Sequence, residues 1–254
     1  YMLKWFSDGE HCVKEFTGYS GSKIFLVQRG DQYLVRKIGN VARNYERLTH
    51  LRNKNYPVCE ILDYRGNVLD LEYVPSLDIK TYLQTNSPND LLDFLKDIIG
   101  SFQKETSEKN YEGTYLNHLD WIDDYNLPFT KNELLDRLPK TLPASEYFGD
   151  LTLENILFNS KKGFILIDGA TTGYDSYRFD LAKLNQDLVC KWFLRTHPIS
   201  IEHKLGIIKT GLEENFGETD DCLVILMLLR IYKHALNDNR TMEFLKNNME
   251  QLWK

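Results

Sequence analysis

The stretch Gly149-Asp150-Leu151-Thr152-Leu153-Glu154-Asn155, followed by two short apolar runs that end at Asp168, constrains this chain more than any other. The runs are Ile156-Leu157-Phe158 and Phe164-Ile165-Leu166-Ile167, with Asn159-Ser160-Lys161-Lys162-Gly163 between them. Two runs of strand length around a polar, glycine-containing turn predict a β-hairpin. A hairpin returns the chain on itself, so the residues that open and close it become neighbours. Asn155 opens this one and Asp168 closes it, with Asp150 five residues upstream.

Three oxygen-bearing side chains so placed suit one kind of chemistry. Mg2+ is a hard cation that takes a few protein carboxylates and completes its shell with phosphate and water. Phosphoryl transfer needs such an ion and a group that orients the attacking hydroxyl, and asks little covalent chemistry of the protein. The pattern predicts Asn155 and Asp168 as metal ligands and Asp150 as the residue that orients or deprotonates an acceptor. Taken singly, each is equally at home in a turn or at a strand end; the argument rests on the three together.

The stretch resembles the Gly-Asp-x-x-x-x-Asn signature of the aminoglycoside phosphotransferase and choline kinase group. Ile167-Asp168-Gly169 looks like that group's second metal-binding motif, and Asp180-Leu181-Ala182, twelve residues beyond Asp168, resembles its Asp-x-Ala element. The run Phe179-Asp180-Leu181-Ala182-Lys183-Leu184 is also similar to phosphotransferase-type proteins of bacterial surface polysaccharide synthesis. Phe148 departs from the His usual in the family two residues before the catalytic Asp, which bears on loop packing more than on chemistry. Gly169-Ala170, where protein kinases carry Phe-Gly, favours the small-molecule branch. The resemblance implies a two-lobed, protein-kinase-like α+β fold: residues 1–74 as a small antiparallel-sheet lobe that binds nucleotide, and residues 75–254 as a larger, mainly helical catalytic and acceptor-binding lobe. It further implies ATP, with GTP left open, and Mg2+ as cofactors.

Against that frame the N-terminal third is legible. Phe16 to Val27 reads as strand, Gly/Ser turn and strand, and Ser20, Gly21 and Ser22 can offer backbone N–H groups and hydroxyls to phosphate oxygens. An ordinary hairpin turn has the same composition. Gly21 follows Ser20 directly, whereas a nucleophile elbow needs glycine two residues after its serine, so a hydrolase is not supported. On the next strand, Gln32 to Ile38, alternation puts Val35 and Lys37 on one face and Leu34 and Arg36 on the other. This strand resembles the kinase Val-Ala-Ile-Lys strand, which makes Lys37 the phosphate-binding lysine. Glu46, on a predicted helix over 41–53, reads equally as a partner for Lys37 or as a solvated helix charge. Val68 to Asp78 resembles the interlobe hinge of kinases, with Leu71 behind the adenine and the backbones of Glu72 and Val74 bonding it.

Bulk properties narrow the partners. With 31 basic against 37 acidic residues the net charge is −6, which argues against nucleic acid as a partner. The longest apolar run, Cys222 to Leu229, is too short to span a bilayer and reads as a buried helix. The four cysteines lack Cys-x-x-Cys spacing, so neither a disulfide framework nor a zinc site is expected. With no secretory leader visible, the cytoplasm is the expected location. Helices are predicted near 90–104, 178–195, 200–215, 220–236 and 241–252. The segment Asn117 to Tyr125 mixes aromatics with acids and reads as an acceptor-binding patch or as an amphipathic helix. The expected activity is transfer of the terminal phosphate of ATP to a hydroxyl of a sugar, amino alcohol or aminoglycoside. A protein kinase and a catalytically silent module of the same fold are the alternatives. The oligomeric state is not readable.

Overall fold

A computed structural model of the chain describes residues 5–16 and 21–254. The backbone divides into two compact units. One comprises the described residues up to Leu77 together with Asn155–Thr171; the other comprises Asp78–Glu154 together with Thr172–Lys254.

The first unit is built on an antiparallel sheet of five strands, β1 (Glu10–Phe16), β2 (Lys23–Arg29), β3 (Gln32–Ile38), β4 (Ile61–Tyr64) and β5 (Val68–Glu72), in the order β1-β2-β3-β5-β4. Helix α1 (Ala42–Asn53) follows β3. Alternation along β2, β3 and β5 gives the sheet two unlike faces. Phe25, Val27, Leu34, Ile38 and Val68 form a small core on one face, joined by Trp5 and Phe6. On that same face sits Arg36, wholly buried. Its guanidinium donates to Asp70 at 2.6 and 2.7 Å, to Glu10 at 2.6 and 3.0 Å and to the Trp5 carbonyl at 2.7 Å. Arg36 holds the Glu10 carboxyl down at about 2, well under the usual carboxylate range. The register places Ile24, Leu26, Val35, Lys37, Leu69 and Leu71 on the opposite face.

The predicted hairpin is present: strands Ile156–Asn159 and Gly163–Leu166 pair antiparallel from Ile156 opposite Leu166 to Asn159 opposite Gly163. Asn159 Oδ1 shapes the turn by accepting the N–H groups of Lys161 and Lys162, both at 2.9 Å. The hairpin is stitched to the segment before β4. Leu166 N–H donates to Pro57 O at 2.8 Å, and Cys59 N–H donates to Leu166 O at 3.1 Å.

The second unit contains eight helices: α2 (Ile79–Thr85), α3 (Asn89–Phe102), α4 (Glu112–Leu119), α5 (Lys131–Arg137), α6 (Tyr177–Leu188), α7 (Glu202–Phe216), α8 (Asp221–Tyr232) and α9 (Asn239–Leu252). Ser176, Asp220 and Asp238 cap α6, α8 and α9 with their side chains. Cys222 to Leu229 is the buried heart of α8, as expected from its unbroken apolar run. The helix predicted over 178–195 ends earlier, at Leu188. Lys191 adopts a left-handed turn (φ 58°), and a short 3-10 segment, Trp192–Leu194, follows. In the Asn117–Tyr125 segment the aromatics pack inward, Trp121 stacking on Tyr232, while Asp120, Asp123 and Asp124 are exposed. Asp123 accepts the Lys131 N–H at 2.7 Å, so its acid serves the start of α5. Among the described residues no helix is long and apolar enough to cross a membrane.

Candidate active site

Asp168 is the focus of the first unit. Its φ is 66°, a left-handed backbone that a non-glycine residue adopts only when its surroundings hold it there. Lys37 Nζ ion-pairs with its Oδ1. Asn44, from the first turn of α1, donates from Nδ2 to the same Oδ1 at 2.8 Å and to Gly169 O at 3.0 Å. The backbone joins in, Thr171 N–H donating to Arg43 O at 3.0 Å. Across the hairpin, Ile167 N–H donates to Asn155 O at 2.9 Å, so Asn155 and Asp168 lie at the same open end. Cys59 is buried close enough to feel both Lys37 and Asp168, and burial pushes its thiol up to about 12.

Glu46 is exposed on α1; the lysine's partner is Asp168, and the α1 side chain that reaches the pair is Asn44. Nothing in the residue pattern singled out Asn44. Leu71 is buried beside Val35 on the Lys37 face. Glu72 ion-pairs with Lys162 of the hairpin turn, and its N–H donates to Glu60 O at 2.8 Å. Val74 is buried, its carbonyl accepts the Ser76 hydroxyl at 2.9 Å, and the next carbonyl, Pro75 O, accepts from Asn159 Nδ2 at 2.7 Å. Ser20 lies outside the described residues. Gly21 is exposed with φ 74°, and Ser22 packs against Gly39, where a Cβ would come within 3.3 Å of the Ser22 Cα. Only glycine at 39 lets the end of β3 approach the turn so closely.

In the second unit Asp150 sits on a loop that α6 holds from beneath. Asp180, Lys183 and Asp187 are spaced i, i+3 and i+7, so they share one face of that helix. Asp180, itself buried, accepts the N–H groups of Phe148 at 2.5 Å and Gly149 at 3.0 Å. Lys183 Nζ lies 3.0 Å from Asp150 Oδ1. Asp187 accepts the N–H groups of Leu153 at 2.6 Å and Phe193 at 3.1 Å. Burial pushes the Asp187 carboxyl up to about 8, with the Glu154 charge adding and the two N–H bonds opposing. Gly149 has φ 93°, and the absence of a Cβ permits the sharp turn that presents Asp150. Phe148 is buried and is held through its backbone, so the loop does not depend on a histidine there. Lys183 and Asp187 were not picked out from the sequence, although a Asp-x-x-Lys-x-x-x-Asp pattern on a helix buried nearly all round was a readable sign of polar work inside.

The donor set at the hairpin end fits a hard cation. Among the described residues no three His, Cys, Asp or Glu side chains cluster as a closed metal site. An open Mg2+ site completed by phosphate and water needs fewer protein ligands, and one carboxylate with one amide is a set of that kind.

No family model matches the chain, and no curated protein matches its sequence. Solved structures do. A Haemophilus somnus protein assigned as a fructosamine-3-kinase superposes with TM-score 0.62 over 98% of this chain and 92% of its own, at 14% identity. Plasmodium vivax ethanolamine kinase gives 0.61 over 97% and 83%, at 13% identity. A thermostable mutant of aminoglycoside phosphotransferase APH(4)-Ia, in a ternary complex with AMP-PNP and hygromycin B, gives 0.64 over 99% and 96%, at 10% identity. An antiparallel-sheet unit, a helical unit and agreement over almost the whole length leave one architecture: the chain has the protein-kinase-like fold of these small-molecule kinases.

Proposed function

We propose that the chain is an ATP- and Mg2+-dependent phosphotransferase that acts, in the cytoplasm, on a hydroxyl of a small molecule such as a sugar, an amino alcohol or an aminoglycoside. The observation that carries the reading is Asp168, held in a left-handed backbone and met by Lys37, Asn44 and the hairpin end that bears Asn155. That arrangement is a nucleotide-phosphate set. Asp150, presented by a loop that α6 holds at four backbone or side-chain points, is the hydroxyl-orienting group.

The reaction moves the γ-phosphoryl group of ATP to the acceptor oxygen; the bond from that phosphorus to the bridging oxygen breaks and ADP leaves. Lys37 turns its ammonium from Asp168 to the phosphates. Asn155 and Asp168 would hold Mg2+, which when bound would neutralise charge on the phosphate oxygens. Leu71 and Val35 supply an apolar surface to the adenine, and the backbones of Glu72 and Val74 its polar partners, with Gly21 and Ser22 toward the phosphates. Asp150 aligns the acceptor hydroxyl and takes up its proton. A silent module would have no need of a buried helix face spent on holding one carboxylate loop.

Two variants test this. Asp168→Ala is expected to abolish ADP formation over a panel of sugars, amino alcohols and aminoglycosides while leaving the protein folded. Asp150→Asn is expected to cut turnover by roughly 100-fold or more with nucleotide affinity nearly kept. Undiminished turnover by a folded Asp168→Ala protein overturns the assignment. Loss of nucleotide binding in Asp150→Asn would move that residue to the metal set.

A further inference from the structure

Lys183 is a charge in an unusual place. Its side chain is 6% exposed, on a helix whose residues from Phe179 to Leu188 are all buried. Its ammonium is 3.0 Å from Asp150 Oδ1 and 3.2 Å from Gln186 Oε1. Taking an ammonium out of water costs several kcal/mol, and an ion pair seldom returns more than an apolar side chain of the same size would. A methionine or leucine at 183 would fill the space with no such cost. Stability therefore does not explain the lysine, and what distinguishes the position is the residue it touches. Asp150 is 35% exposed, and a carboxylate that open samples several rotamers unless something holds one oxygen.

We infer that Lys183 is a positioning residue: from inside α6 its ammonium fixes Oδ1 of Asp150, and so sets the direction in which the carboxylate meets the acceptor hydroxyl. This rests on the phosphotransferase reading, since positioning matters only if Asp150 acts on an acceptor. A misplacement on the order of 1 Å at a reacting group costs roughly 100-fold in rate, so one buried contact can carry a large effect. The groups that act on Lys183 are Asp150 and Asp187, which favour its charged form, and Arg230, which opposes it; burial is the largest influence and pushes its proton affinity down. Of the charges around Lys183, Asp150 is the one that most favours its protonated form.

The test has two arms. In the first, ε-13C-labelled lysine is followed by NMR against pH, with the Lys183 resonance assigned by its loss in Lys183→Met. In Asp150→Asn the Lys183 titration is expected to move to lower pH, by about a tenfold loss of proton affinity, because its main counter-charge is gone. No movement would mean the two groups are not coupled and overturns the inference whatever the activity. In the second arm ADP release is measured for wild type, Lys183→Met, Asp150→Asn and the double variant, each checked for folding by circular dichroism. Lys183→Met is expected to lower kcat on the order of 100-fold with KM for ATP within about twofold of wild type. The double variant is expected to be no slower than Asp150→Asn alone, since a residue acting through Asp150 has nothing left to position. Full activity in Lys183→Met, or additive losses in the double variant, overturns the positioning role while leaving the phosphotransferase reading intact. If wild type transfers phosphate to no acceptor in the panel, the reading itself falls and the role of Lys183 falls with it.

Discussion

Arg36 and Lys37 are adjacent in sequence and do opposite things. Strand alternation sends them to opposite faces of the sheet, and that much follows from β3 alone. What it does not show is that Arg36 lies at the centre of a buried network with Glu10 and Asp70, so that it is no bystander to the lysine beside it. Arg36→Ala leaves two carboxylates buried without their main counter-charge, and a loss of about 3–5 kcal/mol in stability is expected by denaturant titration. Lys37→Ala should leave the denaturation midpoint nearly unchanged and weaken nucleotide binding instead. Equal destabilisation by both variants would contradict the two-face arrangement. Asn44 makes the same point about legibility: a single amide on α1 becomes informative only once Asp168 Oδ1 and Gly169 O are seen to converge on it.

At the scale of elements, the hairpin brings Asn155 and Asp168 to one end of the first unit, and α6 holds the Asp150 loop in the second. The hairpin was readable because two apolar runs of strand length around a polar, glycine-containing turn have few other solutions. On α6, Asp180 is marked by its motif, while the spacing of Lys183 and Asp187 shows that they share its face but not that the face is buried. A helix buried on every side gives no amphipathic contrast by which to tell its faces apart. Asp187 gives this element a pH signature. Its carboxyl titrates at about 8 in the folded chain against an ordinary 3.8. Between those values the folded state keeps a proton that the unfolded state has released, so this group's contribution to stability is full below about pH 4 and falls away as pH rises toward 8. Asp187→Asn removes the titration and one acceptor. Its stability should start lower, through the weakened hold on Leu153 or Phe193, and vary less with pH. Denaturant midpoints for both proteins at several values across the window check this. Parallel slopes in the two would mean that Asp187 does not hold the proton.

For the whole molecule, the residues proposed to bind phosphate and the residue proposed to orient the acceptor belong to different compact units, and chain order does not respect the division. Asn155–Thr171 clusters with the sheet that precedes it by many residues, while Glu154 and Thr172 cluster with the helices. Nucleotide binding should consequently stabilise the molecule through the first unit alone. With Mg2+ and AMP-PNP at about 100 times the dissociation constant, roughly 2.7 kcal/mol of linked stabilisation is expected, read as a rise in Tm. Lys37→Ala and Asp168→Ala should reduce that rise, and Asp150→Asn should keep it. A rise lost in Asp150→Asn and kept in Lys37→Ala would reverse the assignment of the two sets.

The order of the motifs, the hairpin, the strand faces and the buried run of α8 were all present in the amino-acid sequence, because each depends on residues close together in the chain or on strict periodicity. The tertiary structure decided who meets whom. That Lys37 pairs with Asp168 and not with Glu46, that Asn44 completes the group and that Lys183 rises beneath Asp150 are matters of side chains from distant segments. Residue type and spacing fix no such contact: a charge can be solvated or buried with equal ease on paper, and only a packed interior, where an unpaired charge is too costly to keep, forces the choice of partner.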